Sequence, residues 1–335
     1  MSDVEKPERG LSSIRDARAL RAERSFTPQG ASGKFWLWSA VAVVAITIFY
    51  WKKSDTDNEA HRTRVLAKQR GVASEMAPLY FPLREKIEGW TMALAQTEPG
   101  EDVIAPSFST PGAADALLQK PGIYLRLAQP NATSVPKLRA AAMDSLRDAF
   151  TACFLRAKNP DPREGKDCKS TKECEKGKVC NEAGHCTVLS QPANLRVAYR
   201  GMRVLEDTWI REVQTATDAL RLRLFDSDLD SAVAADIPAA IDLMVKGQYF
   251  LVVLDEVPVG VKAPEGSTLE ETVQALVHPT RVGLYDVKTG ELLFRGRREI
   301  DVTVPVVPGS VDVQRRQILN CELARDVRRT LRASE

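Results

Sequence analysis

Six cysteines are the residues of this chain whose type and spacing bear most directly on chemistry. Four of them, Cys168, Cys174, Cys180 and Cys186, stand at gaps of five residues in CKSTKECEKGKVCNEAGHC, and Cys153 and Cys321 lie on either side of that run. Two chemistries compete for such a set: disulfide formation, and zinc binding by thiolates with His185 as an extra ligand. Structural zinc sites use cysteine pairs about two to four residues apart, so gaps of five fit them poorly. The segment from Asn159 to Leu189 has few apolar residues to bury, and cross-links must supply its shape. Two bridges closing loops of this size each contribute about 2–4 kcal/mol by restricting the unfolded chain. Spacing alone leaves three connectivities open within 168–186. If those four bridge among themselves, Cys153 and Cys321 are left to join the two halves of the domain; two buried free thiols are the alternative.

The cysteine segment also resembles a known repeat. A C-x5-C-x5-C-x5-C pattern, with an acidic residue before the second cysteine and a glycine before the third and the fourth, is similar to short repeats in exported proteins of myxobacteria and their relatives. The matching residues are Cys168, Glu173, Cys174, Gly177, Cys180, Gly184 and Cys186, in a single copy. The resemblance implies export and disulfides, and implies no activity.

Catalytic patterns are sparse. Ser134-Val135-Pro136-Lys137 and Lys288-Thr289-Gly290 are similar to two of the three motifs of serine penicillin-binding proteins. That resemblance implies Ser134 as nucleophile, Lys137 as its activator and Lys288 in a triad lining the substrate strand. The third motif is missing, and Pro136 falls inside the first. His61, His185 and His278 belong to no metal or nucleophile motif. Asp226, Asp228 and Asp230 lack the turn glycine and terminal glutamate of a calcium loop, and so read as a solvated helix end or turn. Asn131-Ala132-Thr133 is a glycosylation acceptor only in a eukaryotic cell. No metal, cofactor or small-molecule ligand is called for.

Charge removes one further class. The first 34 of 335 residues hold 7 Lys/Arg and 5 Asp/Glu, and the remainder holds 40 of each sign. Without a basic excess the domain is not expected to bind nucleic acid.

The elements that must position these residues begin with Phe35 to Trp51, FWLWSAVAVVAITIFYW, in which 15 of 17 residues are apolar and none is charged. At about 1.5 Å per residue it covers roughly 25 Å, the short end of a hydrocarbon core. Trp36, Trp38, Tyr50 and Trp51 sit where interfacial anchors belong, and the flanking Lys34, Lys52 and Lys53 can snorkel. The reading is a single transmembrane signal anchor over 35–51, with the membrane as one partner. Residues 1–34 are then a mostly disordered cytoplasmic tail with a weak basic stripe around Leu11, Ile14 and Leu20. Residues 52–335 form a periplasmic domain carrying a disulfide-rich insert at 160–189. All six cysteines follow the span, which places them on the oxidising side of a bacterial inner membrane.

Within the domain, the pattern predicts a helix to about Arg70, no assignable structure over 71–109, and a short helix over 111–119. An alternating strand follows at Ile123 to Leu127, then a helix from Pro136 to about Lys158. A long helical run covers Leu195 to Phe225, broken near Gly201. A helix over Ile237 to Lys246 leads into a buried strand, Tyr249 to Leu254. Arg281 to Asp286 and Glu291 to Arg297 flank Val287 to Gly290 as a hairpin with Gly at the turn, and Gln314 to Leu331 closes the chain as a helix. The fold class expected is α+β, an exported sheet covered by helices behind one transmembrane helix. The function expected is a non-enzymatic binding or structural component of the cell envelope with a protein partner. An enzyme acting on cell-wall or lipid substrates through Ser134, Lys137 and Lys288 is the alternative.

Overall fold

A computed structural model describes residues 33–108, 110, 112–145, 148–155, 165–169, 173–175, 178–180, 184–188, 192–302 and 311–333. Of the expected N-terminal tail over 1–34, residues 1–32 lie outside them, as does the stripe around Leu11, Ile14 and Leu20, while Gly33 and Lys34 are helical. Two compact units are distinguished, Met1–Glu59 and Ala60–Glu335.

In the first unit the described residues belong to helix α1, which begins at Gly33. Trp36, Trp38, Tyr50 and Trp51 are all about two-thirds exposed or more, at 66%, 70%, 67% and 72%. Among the described residues no helix is long and apolar enough to cross a membrane. The expected transmembrane signal anchor over 35–51 is corrected accordingly. The physical reason lies at the ends of the run. It is shorter than the about 20 apolar residues a span requires, and Trp36, Trp38, Tyr50, Trp51, Lys52 and Lys53 dilute its hydropathy where length is needed.

The second unit is a mixed helix-and-sheet domain. Helix α1 runs through it to Gln96, past the point near Arg70 where the sequence pattern fades. Pro78 and Pro82 lie inside it, each removing one backbone hydrogen bond. Burial of Val65, Tyr80, Ile87 and Leu94 holds the helix on course, the last three repeating every seven residues.

Among the described residues eight strands follow in chain order: β1 (Val103–Ile104), β2 (Gly122–Ala128), β3 (Lys178–Cys180), β4 (Cys186–Val188), β5 (Ala193–Asn194), β6 (Tyr249–Asp255), β7 (Pro279–Asp286) and β8 (Leu292–Glu299). Six of them form one sheet in the order β1-β8-β7-β6-β2-β5, and β3 and β4 form a separate pair. Strand β2 is parallel to β5 and β6, while β7 is antiparallel to both β6 and β8. All seven residues of β2 and of β6 are buried. They read as central strands covered on both faces, as parallel strands must be.

One face carries Ile123, Leu125, Leu127, Phe250, Val252 and Leu254. Against it pack α1, α3 (Val135–Met143), α5 (Arg196–Gly201), α6 (Asp207–Thr215), α7 (Ala219–Ser231) and α8 (Ile237–Lys246). The other face carries Tyr124, Leu251, Val253, Val282 and Leu284. It is covered by α2 (Ala113–Leu118), α4 (Ala149–Leu155) and α10 (Val311–Ala333). Helix α9 (Leu269–Gln274) starts with a capping box between Thr268 and Glu271.

Two helical expectations need correction. The helix over 136–158 is two helices, α3 and α4, because the chain between them turns Ser145 and Asp148 onto strand β2. There Ser145 Oγ donates to the Arg126 carbonyl at 3.2 Å, and the Tyr124 hydroxyl donates to Asp148 Oδ2 at 2.6 Å. The run over 195–225 breaks after Gly201, as expected, with a 3-10 turn following Met202, but it breaks a second time at Ala216, so that α7 starts afresh on an Asp218 cap.

Candidate functional site

The chemistry-bearing residues fall into two sets, the disulfides and a buried charge network. Cys153 on α4 is bonded to Cys321 on α10, with their Cα atoms 5.1 Å apart across 168 residues of chain. In the insert, Cys168 is bonded to Cys180 and Cys174 to Cys186, with Cα separations of 5.8 and 5.4 Å. The sulfurs of Cys168, Cys174 and Cys186 lie within 4.8 Å of one another, a grouping that by proximity alone could hold a metal. Zinc would need them as free thiolates, and here they are consumed in pairs, so the closeness reflects two bridges stacked side by side. Strands β3 and β4 are braced by Cys180 paired opposite Cys186, and the Cys168 N–H donates to the Gly184 carbonyl at 2.8 Å.

The second set was not visible as a motif. Arg126 lies in the middle of β2 and Asp255 at the end of β6, on the sheet face covered by α4 and α10, and both are buried. Arg126 Nε and Nη2 each donate to Asp255 at 2.8 Å. Its Nη1 donates to Asp148 Oδ2 at 3.0 Å and to Asn320 Oδ1 on α10 at 2.8 Å. Both ring nitrogens of His278 face acceptors: Nδ1 the Leu276 carbonyl, and Nε2 Asp255 Oδ1, each at 2.9 Å. The Thr280 hydroxyl completes the shell of Asp255 at 3.3 Å.

Burial acts against charge at both ends of this pair, and the partners overcome it. Desolvation alone would raise the Asp255 pKa, but the Arg126 charge and the hydrogen bonds from His278 and Arg126 hold it well below the usual carboxylate range. Desolvation would lower Arg126, and Asp255 and Asp148 more than compensate. The Tyr124 phenol is pushed far up, by burial first and by Asp148 second.

A smaller network ties α1 to the opposite face. Glu88 takes a bidentate pair from Arg139 at 2.8 and 3.0 Å and a hydrogen bond from the Tyr199 hydroxyl at 3.3 Å, while Arg84 contacts Glu206.

What the Arg126 cluster can do chemically follows from its saturation. A general acid or base needs a proton position that a substrate can reach. The carboxylate of Asp255 is fully buried, and both of its oxygens are taken by Arg126, His278 and Thr280. The cluster is a lock between the two central strands, α10 and the turn before α4.

The remaining candidates are dispersed. Register pairs Ala128 with Asp255 and Asp255 with Thr280 at one end of the sheet, and Gly122 with Tyr249 and Tyr249 with Asp286 at the other. Ser134 stands at the position before α3, after the first end, with Lys137 exposed one turn on, whereas Lys288 is exposed in the turn beyond the second end. The structure does not bring these three together. His61 faces Asp226 at 3.1 Å, Asp230 pairs with Lys68, and Asp228 lies 3.6 Å from Arg203. The Asn131 amide donates to Glu270 at 2.6 Å, and His185 lies 3.0 Å from Asp167.

No family model matches the chain, and no curated protein or solved structure is similar to it.

Proposed function

We propose that this chain is a non-enzymatic binding or structural component of a bacterial cell envelope, working on the oxidising side of the membrane through a protein partner. The observation that carries the reading is the set of disulfides, which joins all six cysteines in three pairs. Such bonds persist in oxidising compartments and are reduced in a cytosol. The cysteine-rich segment is, in this reading, the short repeat type of exported myxobacterial proteins. Two further features support a scaffold role. The strongest cluster of ionisable groups is spent inside the core, and the bridge from Cys153 to Cys321 ties α4 to the closing helix.

Cross-linking in intact cells, followed by capture of the full chain, tests the reading. Recovery of one defined envelope protein, in constant proportion to the chain, is the expected result. Covalent labelling of Ser134 by a β-lactam probe, abolished in Ser134→Ala, would replace the reading with penicillin-binding-like catalysis.

A further inference from the structure

The last helix carries a feature that the disulfides and the core do not explain. Arg325, Arg328, Arg329 and Arg332 recur at the spacing that places side chains on one face of α10. Together with Cys153 they line a cavity of about 590 Å³. Two of the four are fixed. Arg328 Nη2 and Arg332 Nη2 lie 2.8 and 2.7 Å from the two oxygens of Asp115, and Arg328 Nη1 donates to the Phe154 carbonyl at 2.5 Å. The other two reach outward. Arg325 is 61% and Arg329 76% exposed; Arg325 pairs with Glu322, and Arg329 comes no nearer than 3.6 Å to Asp326. The Cys153–Cys321 bridge pins this stretch of α10 to α4, so the row is held on a rigid base.

Helix dipole compensation accounts for arginines in a last turn, though not for a concave wall made of four of them. We infer that this row docks an acidic peptide segment of the partner proposed above. The inference rests on that binding reading and gives it a surface and a chemistry. Arg325 and Arg329, exposed and one turn apart at about 6 Å along the helix, match carboxylates distributed along an extended chain, while Arg328 and Arg332, held on Asp115, add positive charge to the wall behind them. A compact phosphate is matched less well. The cavity lies toward a helix C-terminus, whose dipole disfavours concentrated negative charge, and phosphate sites are commonly built at the opposite end.

Fluorescence anisotropy of labelled hexaglutamate against the full chain tests the assignment, with R325Q/R329Q and the single variant R329Q as comparisons. Both substituted side chains are exposed, and an unchanged unfolding midpoint verifies that the variants fold. Binding that weakens with salt, falls at least tenfold in the double variant and at least threefold in R329Q is expected. No binding by the wild type, or equal binding by the variants, overturns the proposal. So does displacement by tripolyphosphate at concentrations tenfold below those of unlabelled hexaglutamate, which would make the cavity a phosphate site. Partner capture separates the two readings. A partner held equally well by R325Q/R329Q removes this surface while the binding function stands, whereas failure of the wild type to capture any partner removes both.

Discussion

Arg126 and Asp255 meet across two neighbouring parallel strands in a two-pronged pair, both contacts at 2.8 Å and both residues out of reach of solvent. Buried pairs of this kind lose most when one member is removed, because the other is left charged and unpaired. Arg126→Met or Asp255→Asn alone is expected to lower stability by about 3–5 kcal/mol, read by urea unfolding. The double replacement Arg126→Met/Asp255→Leu should cost less than either single change. A double variant as weak as the sum of the singles would show that the pair is not a coupled unit.

The same pair sets the acid limit of the fold. Asp255 has a folded pKa held below its unfolded value of about 3.9, so its contribution is fully present above that value. It is lost as pH falls from about 4 toward the depressed folded value. Stability of the wild type should therefore drop below pH 4. In Asp255→Asn that part of the acid slope should be missing, although the variant is weaker at neutral pH. An unchanged slope in unfolding measured across pH 2–5 would contradict the assignment.

Packing at the start of β2 gives a sharper steric test. A Cβ built on Gly122 would stand 2.1–2.6 Å from ring atoms of Tyr249, its partner in register. Gly122→Ala is expected to destabilise by about 1–3 kcal/mol, as overpacked cores do. Trimming the ring in Gly122→Ala/Tyr249→Leu should recover part of that loss relative to Tyr249→Leu alone. If Gly122→Ala matches the wild type in thermal unfolding, the close approach is not present in solution.

Legibility in the sequence followed the range of the interactions. YFLVVL announces itself through its unbroken apolar run, and the helix from Ile237 to Lys246 through Pro238 in its first turn and Gly247 after its last; both stand where the pattern puts them. Disulfide bonding was legible too, because a segment poor in apolar residues with evenly spaced cysteines has little else to hold it. The continuation of α1 was hidden by Pro78 and Pro82, whose local signal says stop while Tyr80 and Ile87 are held by residues far along the chain. Arg126 was the hardest to see. Alternation with Leu125 and Leu127 makes it look solvent-facing, yet its partners Asp148, Asp255 and Asn320 lie 22, 129 and 194 residues away. The one available hint was Asp255 itself, a charge placed directly after an apolar run. The apolar residues of 35–51 misled in the other direction, since a count of apolar types does not weigh length or the low hydropathy of Trp and Tyr.

The three bridges should differ in their effect on stability. In the chain-entropy model, the loop closed by Cys153 and Cys321 restricts the unfolded chain by about 4–5 kcal/mol. The two loops in the insert are short, with separations of 12 each. Their hydrogen bonds link Cys168 to Gly184 and Cys186 to Lys166, all within the insert. Cys153→Ser/Cys321→Ser should lower the unfolding midpoint of the domain far more than Cys168→Ser/Cys180→Ser. Equal losses would mean that the insert is part of the core.

Thiol trapping in the producing cell tests most directly whether the domain is closed by its disulfides there, as the proposed oxidising compartment requires. Cells are quenched with acid, free thiols are alkylated, and the full chain is mapped under non-reducing conditions. The account predicts no alkylated cysteine and three linked peptide pairs, joining Cys153 to Cys321, Cys168 to Cys180 and Cys174 to Cys186. Alkylation of Cys168, Cys174 and Cys186 in the trapped sample, or peptides joining Cys153 into the insert, would contradict it.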